Sequence, residues 1–117
     1  MSVLTEAKID AHCHVLDPAK FPYNPAVAYH PAGQEMGNAE YFQQLMACYE
    51  VKHALLVGPN SGYATDNRCL LHALNIGQGV FKGVAVVPNS CSLDTLQALK
   101  SQGVIGVAFN PALMGFD

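Results

Sequence analysis

Four short apolar segments, each separated from the next by a stretch with helical spacing, constrain the fold of this 117-residue chain more than any other feature. The segments run over 8–15, 53–57, 83–87 and 104–110. After the first comes a polar stretch, 17–37, broken by Pro18, Pro22, Pro25 and Pro31, too long and too interrupted for a helix or a strand. Asn38 is then placed to cap a helix whose apolar positions are Tyr41, Leu45, Cys48 and Tyr49, with Phe42 and Met46 beside them. A second helix is expected from about Thr65 or Asp66, with Leu70, Leu71, Ala73 and Leu74 on one side and an end near Gly77. Ser92 caps a third, with Asp94 in its first turn and Leu93, Leu96 and Leu99 as its stripe, closed by Gly103. The order β-α-β-α-β-α-β implies right-handed crossovers and a parallel α/β sheet. Four such units are half of an eight-stranded barrel, so residues 1–117 are expected to form a single partial domain holding strands 1 to 4 of a (β/α)8 TIM barrel, the N-terminal half. A small doubly wound sheet is the alternative.

Composition narrows the partners. Half the residues are hydrophobic and only 13% are charged, against roughly 25% in an ordinary soluble domain. Two compatible causes are strands covered on both faces and apolar surface meant for a partner. The formal net charge is −3. Without a basic stripe, nucleic acid is not expected as a partner, nor an anionic membrane. No apolar run approaches the roughly 20 residues of a bilayer span, and the N-terminus lacks the pattern of a secretory signal. Cytoplasm is the expected compartment. The four cysteines, Cys13, Cys48, Cys69 and Cys91, are scattered singly and are expected to be reduced thiols.

The chemistry concentrates at the end of the first strand, in Asp10-x-His12-x-His14. Alternation along a strand would put Asp10, His12 and His14 on one face and Ile9, Ala11, Cys13 and Val15 on the other, the second set packing against helices. Imidazoles two residues apart lie about 6–7 Å apart at the backbone, close enough to converge on one ion or one carbonyl. Strand C-terminal ends are where (β/α)8 barrels keep their active sites. Asn60 and Ser61, after strand 2, and Asn110, after strand 4, would sit on the same rim and could hydrogen-bond a substrate. Tyr29 and His30, in the long polar stretch, could fold over it. For Asn60 and Ser61 ordinary turn chemistry is the competing account; for Arg68 a surface cation is. His53, at the far end of strand 2, and His72, inside helix 2, read as structural. The glycines form no phosphate-binding pattern.

Ile9-Asp10-Ala11-His12-Cys13-His14-Val15 resembles the first-strand signature of the amidohydrolase superfamily. Asp17-Pro18-Ala19-Lys20-Phe21-Pro22-Tyr23, Tyr29-His30-Pro31-Ala32-Gly33, Tyr63-Ala64-Thr65-Asp66-Asn67-Arg68, the run from Phe81 to Val87 and the run from Gly103 to Asn110 are similar to the amidohydrolase-related, lactonase-like branch. The resemblance spans nearly the whole chain. It implies a hydrolase acting on a small lactone, ester-like or carboxylated ring compound. It also implies that His12 and His14 are catalytic, either as ligands of a divalent, zinc-like metal or, with no metal, as groups that polarise the scissile carbonyl. The family's remaining histidines and its late aspartate belong to strands 5 to 8, so the site is expected to be incomplete within this chain. The same branch implies an arginine where Ala108 stands. The alternative is a non-catalytic fragment or association module with an unfinished pocket, and either way a homo-oligomer or a missing C-terminal half-barrel is the expected partner.

Overall fold

The computed structural model describes residues 2–114. Residue 1 and residues 115–117, the ends of the expected domain, lie outside the described residues. The elements alternate as the apolar pattern requires: β1 (Lys8–Cys13), α1 (Ala39–Cys48), β2 (Val51–Val57), α2 (Arg68–Gly77), β3 (Phe81–Val86), α3 (Leu93–Ser101) and β4 (Val104–Ala108). A one-turn 3-10 helix at Gly33–Glu35 breaks the long loop, and a single helical turn, α4 (Pro111–Met114), follows β4. The four strands are parallel and ordered β1-β2-β3-β4. A doubly wound sheet would place β1 inside the sheet, with strands on both sides of it; here β1 lies at the edge, and the arrangement matches the N-terminal part of a TIM barrel.

Ala54 and Leu56 of β2, Phe81 and Ala85 of β3 and Val104 of β4 are buried with Leu70, Ala73 and Leu74 of α2 and Leu99 of α3. Register places Ala54 beside Phe81 and Leu56 beside Gly83, so this is one continuous face of the sheet. Gly83 is needed there: a Cβ would stand 2.9 Å from Leu74. At the sheet's outer strands apolar side chains remain exposed, with Ile9 of β1 and Ile105 of β4 each 67% accessible. No helix among the described residues is long and apolar enough to cross a membrane.

The helix caps follow the sequence closely. Asn38 Oδ1 accepts from Tyr41 N at 2.8 Å, and Ser92 Oγ from Thr95 N at 3.2 Å. Three expectations are corrected. On α1 the buried residues are Ala39 and Met46, with Phe42 half-buried, whereas Tyr41, Leu45, Cys48 and Tyr49 are exposed; two apolar stripes share this helix, and the sheet takes the other one. Leu93 of α3 is likewise exposed, leaving Leu96 and Leu99 to pack. Helix α2 starts at Arg68 rather than at Thr65 or Asp66, because Asp66 Oδ1 accepts from Arg68 N at 3.1 Å and closes a turn before it. Its left-handed C-cap is Gln78 (φ 48°) and not a glycine; Gly77 is required for space, since a Cβ there would lie 2.5 Å from the Phe81 ring.

Candidate functional site

The end of β1 does not alternate simply. Relative to β2 the register slips by one residue after Lys8 and slips back between Asp10 and Cys13. Asp10 therefore pairs with Ala54 and Cys13 with Leu56, both core residues. The expectation that Asp10 shares a face with the histidines is corrected by this irregularity. Asp10 is half-buried and turns its Oδ1 to the backbone N–H of His12 at 3.1 Å. Cys13 faces the core side, as its parity with the apolar set implied, and its Sγ lies 3.5 Å from the Leu55 carbonyl. Burial first, and the Asp10 carboxylate second, push its thiol up to about 12. A thiol so high stays protonated and is no nucleophile. Ile9 does not pack against a helix; it is exposed.

His12 and His14 flank Cys13 and are both exposed. Their ring centroids are 5.2 Å apart and nearly perpendicular, at 86°. The Nδ1 of His14 is 2.6 Å from the Val57 carbonyl, at the end of the neighbouring strand. A carbonyl only accepts, so Nδ1 carries the proton and Nε2 of the neutral ring holds the lone pair. That ring is thereby oriented by the main chain of β2.

Both histidines line an open cleft of about 640 Å³ together with Tyr29, Asn60, Ser61 and Ala108. Val27, Ala28, Val57, Gly58 and Pro59 complete its wall. The expected site residues are thus brought together with one exception: His12, His14, Asn60 and Ser61 come from strand ends, and Tyr29 comes from the long loop. Asn110 is the exception. It follows β4 but does not line the cleft, where the smaller Ala108 stands instead.

The loop that carries Tyr29 is held by the turn after β2. Asn24 N donates to Gly62 O and Gly62 N to Tyr29 O, each at 2.8 Å. Gly62 has φ +73°, and a Cβ would lie 2.6 Å from the Tyr23 ring, so close packing and conformation both demand glycine. Tyr63 is 1% accessible and anchors the loop's start, donating to Phe21 O at 2.8 Å and accepting from Asp17 N at 3.1 Å. His30 stays in this scaffold, 3.0 Å from the Asn24 carbonyl and with its ring beside Tyr23. Arg68 is paired to Asp66 at 2.9 Å. His72 meets Lys20 and Glu40 on the outer surface, and exposed His53 stays at the start of β2.

No group of three or more His, Cys, Asp or Glu side chains among the described residues could hold a metal ion. A catalytic zinc takes three protein ligands and a water; the donor set here is His12 and His14 alone, which does not fit a complete metal site. What sequence reasoning missed was the Val57 carbonyl, which carries no side-chain signal, and Val27 and Ala28, whose loop position no periodicity fixes.

A family model described as amidohydrolase matches residues 9–117. A 2-pyrone-4,6-dicarboxylate hydrolase of Comamonas testosteroni is 32% identical over 108 residues, covering 92% of this chain and 34% of its own. Two crystal structures are named as probable or candidate 2-pyrone-4,6-dicarboxylic acid hydrolases. One, from Acinetobacter baumannii with citric acid bound, has a TM-score of 0.75 and 28% identity over 87% of this chain and 37% of its own. The other, from Pseudomonas putida, has a TM-score of 0.68 and 31% identity over 86% and 36%. An apo structure from Agrobacterium tumefaciens, at 18% identity and a TM-score of 0.74, shares the fold. The chain spans about a third of the length of these relatives.

Proposed function

This chain belongs to the amidohydrolase family, and from that premise we propose that the protein carrying it hydrolyses a small lactone or similar cyclic ester at the cleft between His12 and Ser61. The observation that carries the reading is the histidine pair. Two imidazoles meet at the C-terminal strand ends, one with its tautomer fixed by Val57, in a cleft with neutral hydrogen-bonding groups around it. In lactone hydrolysis water adds to the ring carbonyl, the ring C–O bond breaks, and the alkoxide leaving group takes a proton to give a hydroxy acid. His14, with its lone pair on Nε2, is suited to take a proton from water or to hold a ligand; when protonated it donates from the same atom. His12 stands beside it as the second carbonyl-directed group, and Asn60, Ser61 and Tyr29 would orient the ring.

Family members often use a divalent metal. We propose that His12 and His14 are this chain's contribution to such a site if one forms; the two imidazoles alone would bind it weakly. The remaining catalytic groups would come from outside residues 1–117. The competing reading is a non-catalytic association module, favoured by the exposed apolar residues Ile9, Ile105 and Phe109.

The deciding experiment is hydrolysis of 2-pyrone-4,6-dicarboxylate and simple lactones by the full-length protein. His14→Ala and His12→Ala should each lower kcat/KM by roughly 100-fold or more, the scale of a lost acid–base group. Undiminished turnover in both variants would remove the histidines from the mechanism.

A further inference from the structure

The exposure of β1 changes phase inside the strand. Ile9 and Ala11 are exposed and Asp10 between them is half-buried, as alternation requires. Beyond Ala11 the pattern shifts: His12 and His14 are exposed, Cys13 is half-buried and Val15 is buried. Register accounts for the shift. Asp10 pairs with Ala54 and Cys13 with Leu56, so Ala11 and His12 together stand opposite Leu55. That is a β-bulge, with its extra residue on β1. Pairing continued without it from Asp10 and Ala54 would set His12 opposite the fully buried Leu56. It would also turn Cys13 to the side of Val57, which lines the cleft. A one-residue slip inverts every side chain beyond it. The bulge is therefore what puts both imidazoles in the cleft and the thiol against the core.

A bulge disturbs the ladder locally, and a backbone amide there is steadied by another acceptor. Asp10 supplies one: its Oδ1 accepts from His12 N at 3.1 Å, the usual reach of an aspartate to the backbone two residues on. We propose that Asp10 is a positioning residue that holds the bulge at Ala11 and His12 and so aims the histidine pair into the cleft. Its carboxylate is not among the groups lining the cleft; half-buried on the core side, it acts through the main chain of His12. The two histidines are then set from different sides, His12 by Asp10 and His14 by the Val57 carbonyl. What position 10 needs is an acceptor of this reach, which asparagine keeps and alanine lacks. The inference rests on the lactone reading for its kinetic readout alone; the face that the histidines take is a property of the strand.

The test uses the full-length protein with Asp10→Ala, Asp10→Asn and a deletion of Ala11, which removes the extra residue. Native iodoacetamide labelling of Cys13 reports which face β1 presents, with exposed Cys48 as the reference and buried Cys69 as the control for general loosening. The kcat and KM for 2-pyrone-4,6-dicarboxylate and a simple lactone report the aim of the histidines. Asp10→Ala is expected to raise Cys13 labelling about tenfold and to lower kcat about tenfold with KM nearly unchanged, the scale of one charge-assisted hydrogen bond. Asp10→Asn should hold both within about threefold of the unaltered protein, since the acceptor remains. Deleting Ala11 should label Cys13 as readily as Cys48 and abolish hydrolysis; if that variant does not fold, the two Asp10 variants decide alone. Unchanged Cys13 labelling or unchanged kcat in Asp10→Ala overturns the inference, as does a folded deletion variant that keeps Cys13 protected. So does an Asp10→Asn variant as impaired as Asp10→Ala, which would make charge the working property. Labelling of Cys13 and Cys69 that rises together overturns it too, since Asp10 would then support the fold at large. Should the unaltered protein hydrolyse neither lactone, the lactone reading falls while the labelling still decides the inference.

Discussion

Cysteine reactivity offers a direct reading of the site's geometry at the scale of single residues. Cys48 is exposed, whereas Cys13 is turned to the core side of β1 and Cys69 is buried. Burial leads the causes that raise both thiols, Cys13 to about 12. A raised thiol pKa means a scarce thiolate at every pH below it, and thiolate is the reactive form. Iodoacetamide at pH 8 should therefore label Cys48 in the native protein and reach Cys13 and Cys69 only after denaturation, as peptide mass spectrometry would show. Rapid native labelling of Cys13 would mean that it faces the cleft with the histidines. The histidines themselves were legible in the sequence because two imidazoles at alternate positions of a strand end are rare and chemically pointed. Asp10 was misread because a compensated register slip is invisible in a pattern of alternation; only the partner strand reveals it. Asn110 follows β4 but is not among the residues lining the cleft, because reach depends on how the chain leaves β4, which the side-chain type does not encode.

At the scale of elements, what was legible is what is local. A cap involves residues three apart, so Asn38 and Ser92 announce themselves. Asn38→Ala and Ser92→Ala should each cost about 1 kcal/mol in urea unfolding, and no loss in either would show that solvent satisfies the helix amides equally well. The choice between stripes on α1 was not local. Ala39, Phe42 and Met46 recur at helical spacing as truly as Tyr41, Leu45 and Cys48 do, and only the direction of approach to the sheet selects between them. Gly77 ends its helix where the sequence places the end, but the need for glycine there is one of space. Its φ is ordinary for the helix it ends, while Phe81 occupies the space a side chain would need. Gly77→Ala should destabilise by roughly 1–3 kcal/mol, the range for overpacking a filled core. The same substitution at Gly37, where a Cβ meets nothing within 4 Å, should be near neutral, and equal effects at the two sites would sink the packing account.

At the scale of the whole molecule, the strand order follows from the alternation of elements, and it leaves β1 and β4 each with one neighbour. β4 has no charge and no proline to discourage pairing, and Ile105 is largely exposed. Unpaired edges of this kind invite association. Exposed apolar surface forgoes roughly 25 cal/mol per Å², against a stability margin of about 5–15 kcal/mol for a domain. We predict that residues 1–117, expressed as such, associate with a second copy or with a separately supplied remainder of the barrel. Light scattering with gel filtration measures this, and a monodisperse 12.5 kDa monomer that survives dilution and melts cooperatively would refute it. The frame of the cleft has a different property. His14 is aimed by the carbonyl of Val57, and the loop bearing Tyr29 is hung on the amide and carbonyl of Gly62. None of these partners belongs to a side chain, so no codon spells them. A saturation mutagenesis screen would score position 57 as a tolerant apolar site and position 62 as a glycine requirement, and would never display the acceptor that orients the histidine. Inheritance of this site could therefore survive wide drift in the surrounding letters, provided the chain's path is kept.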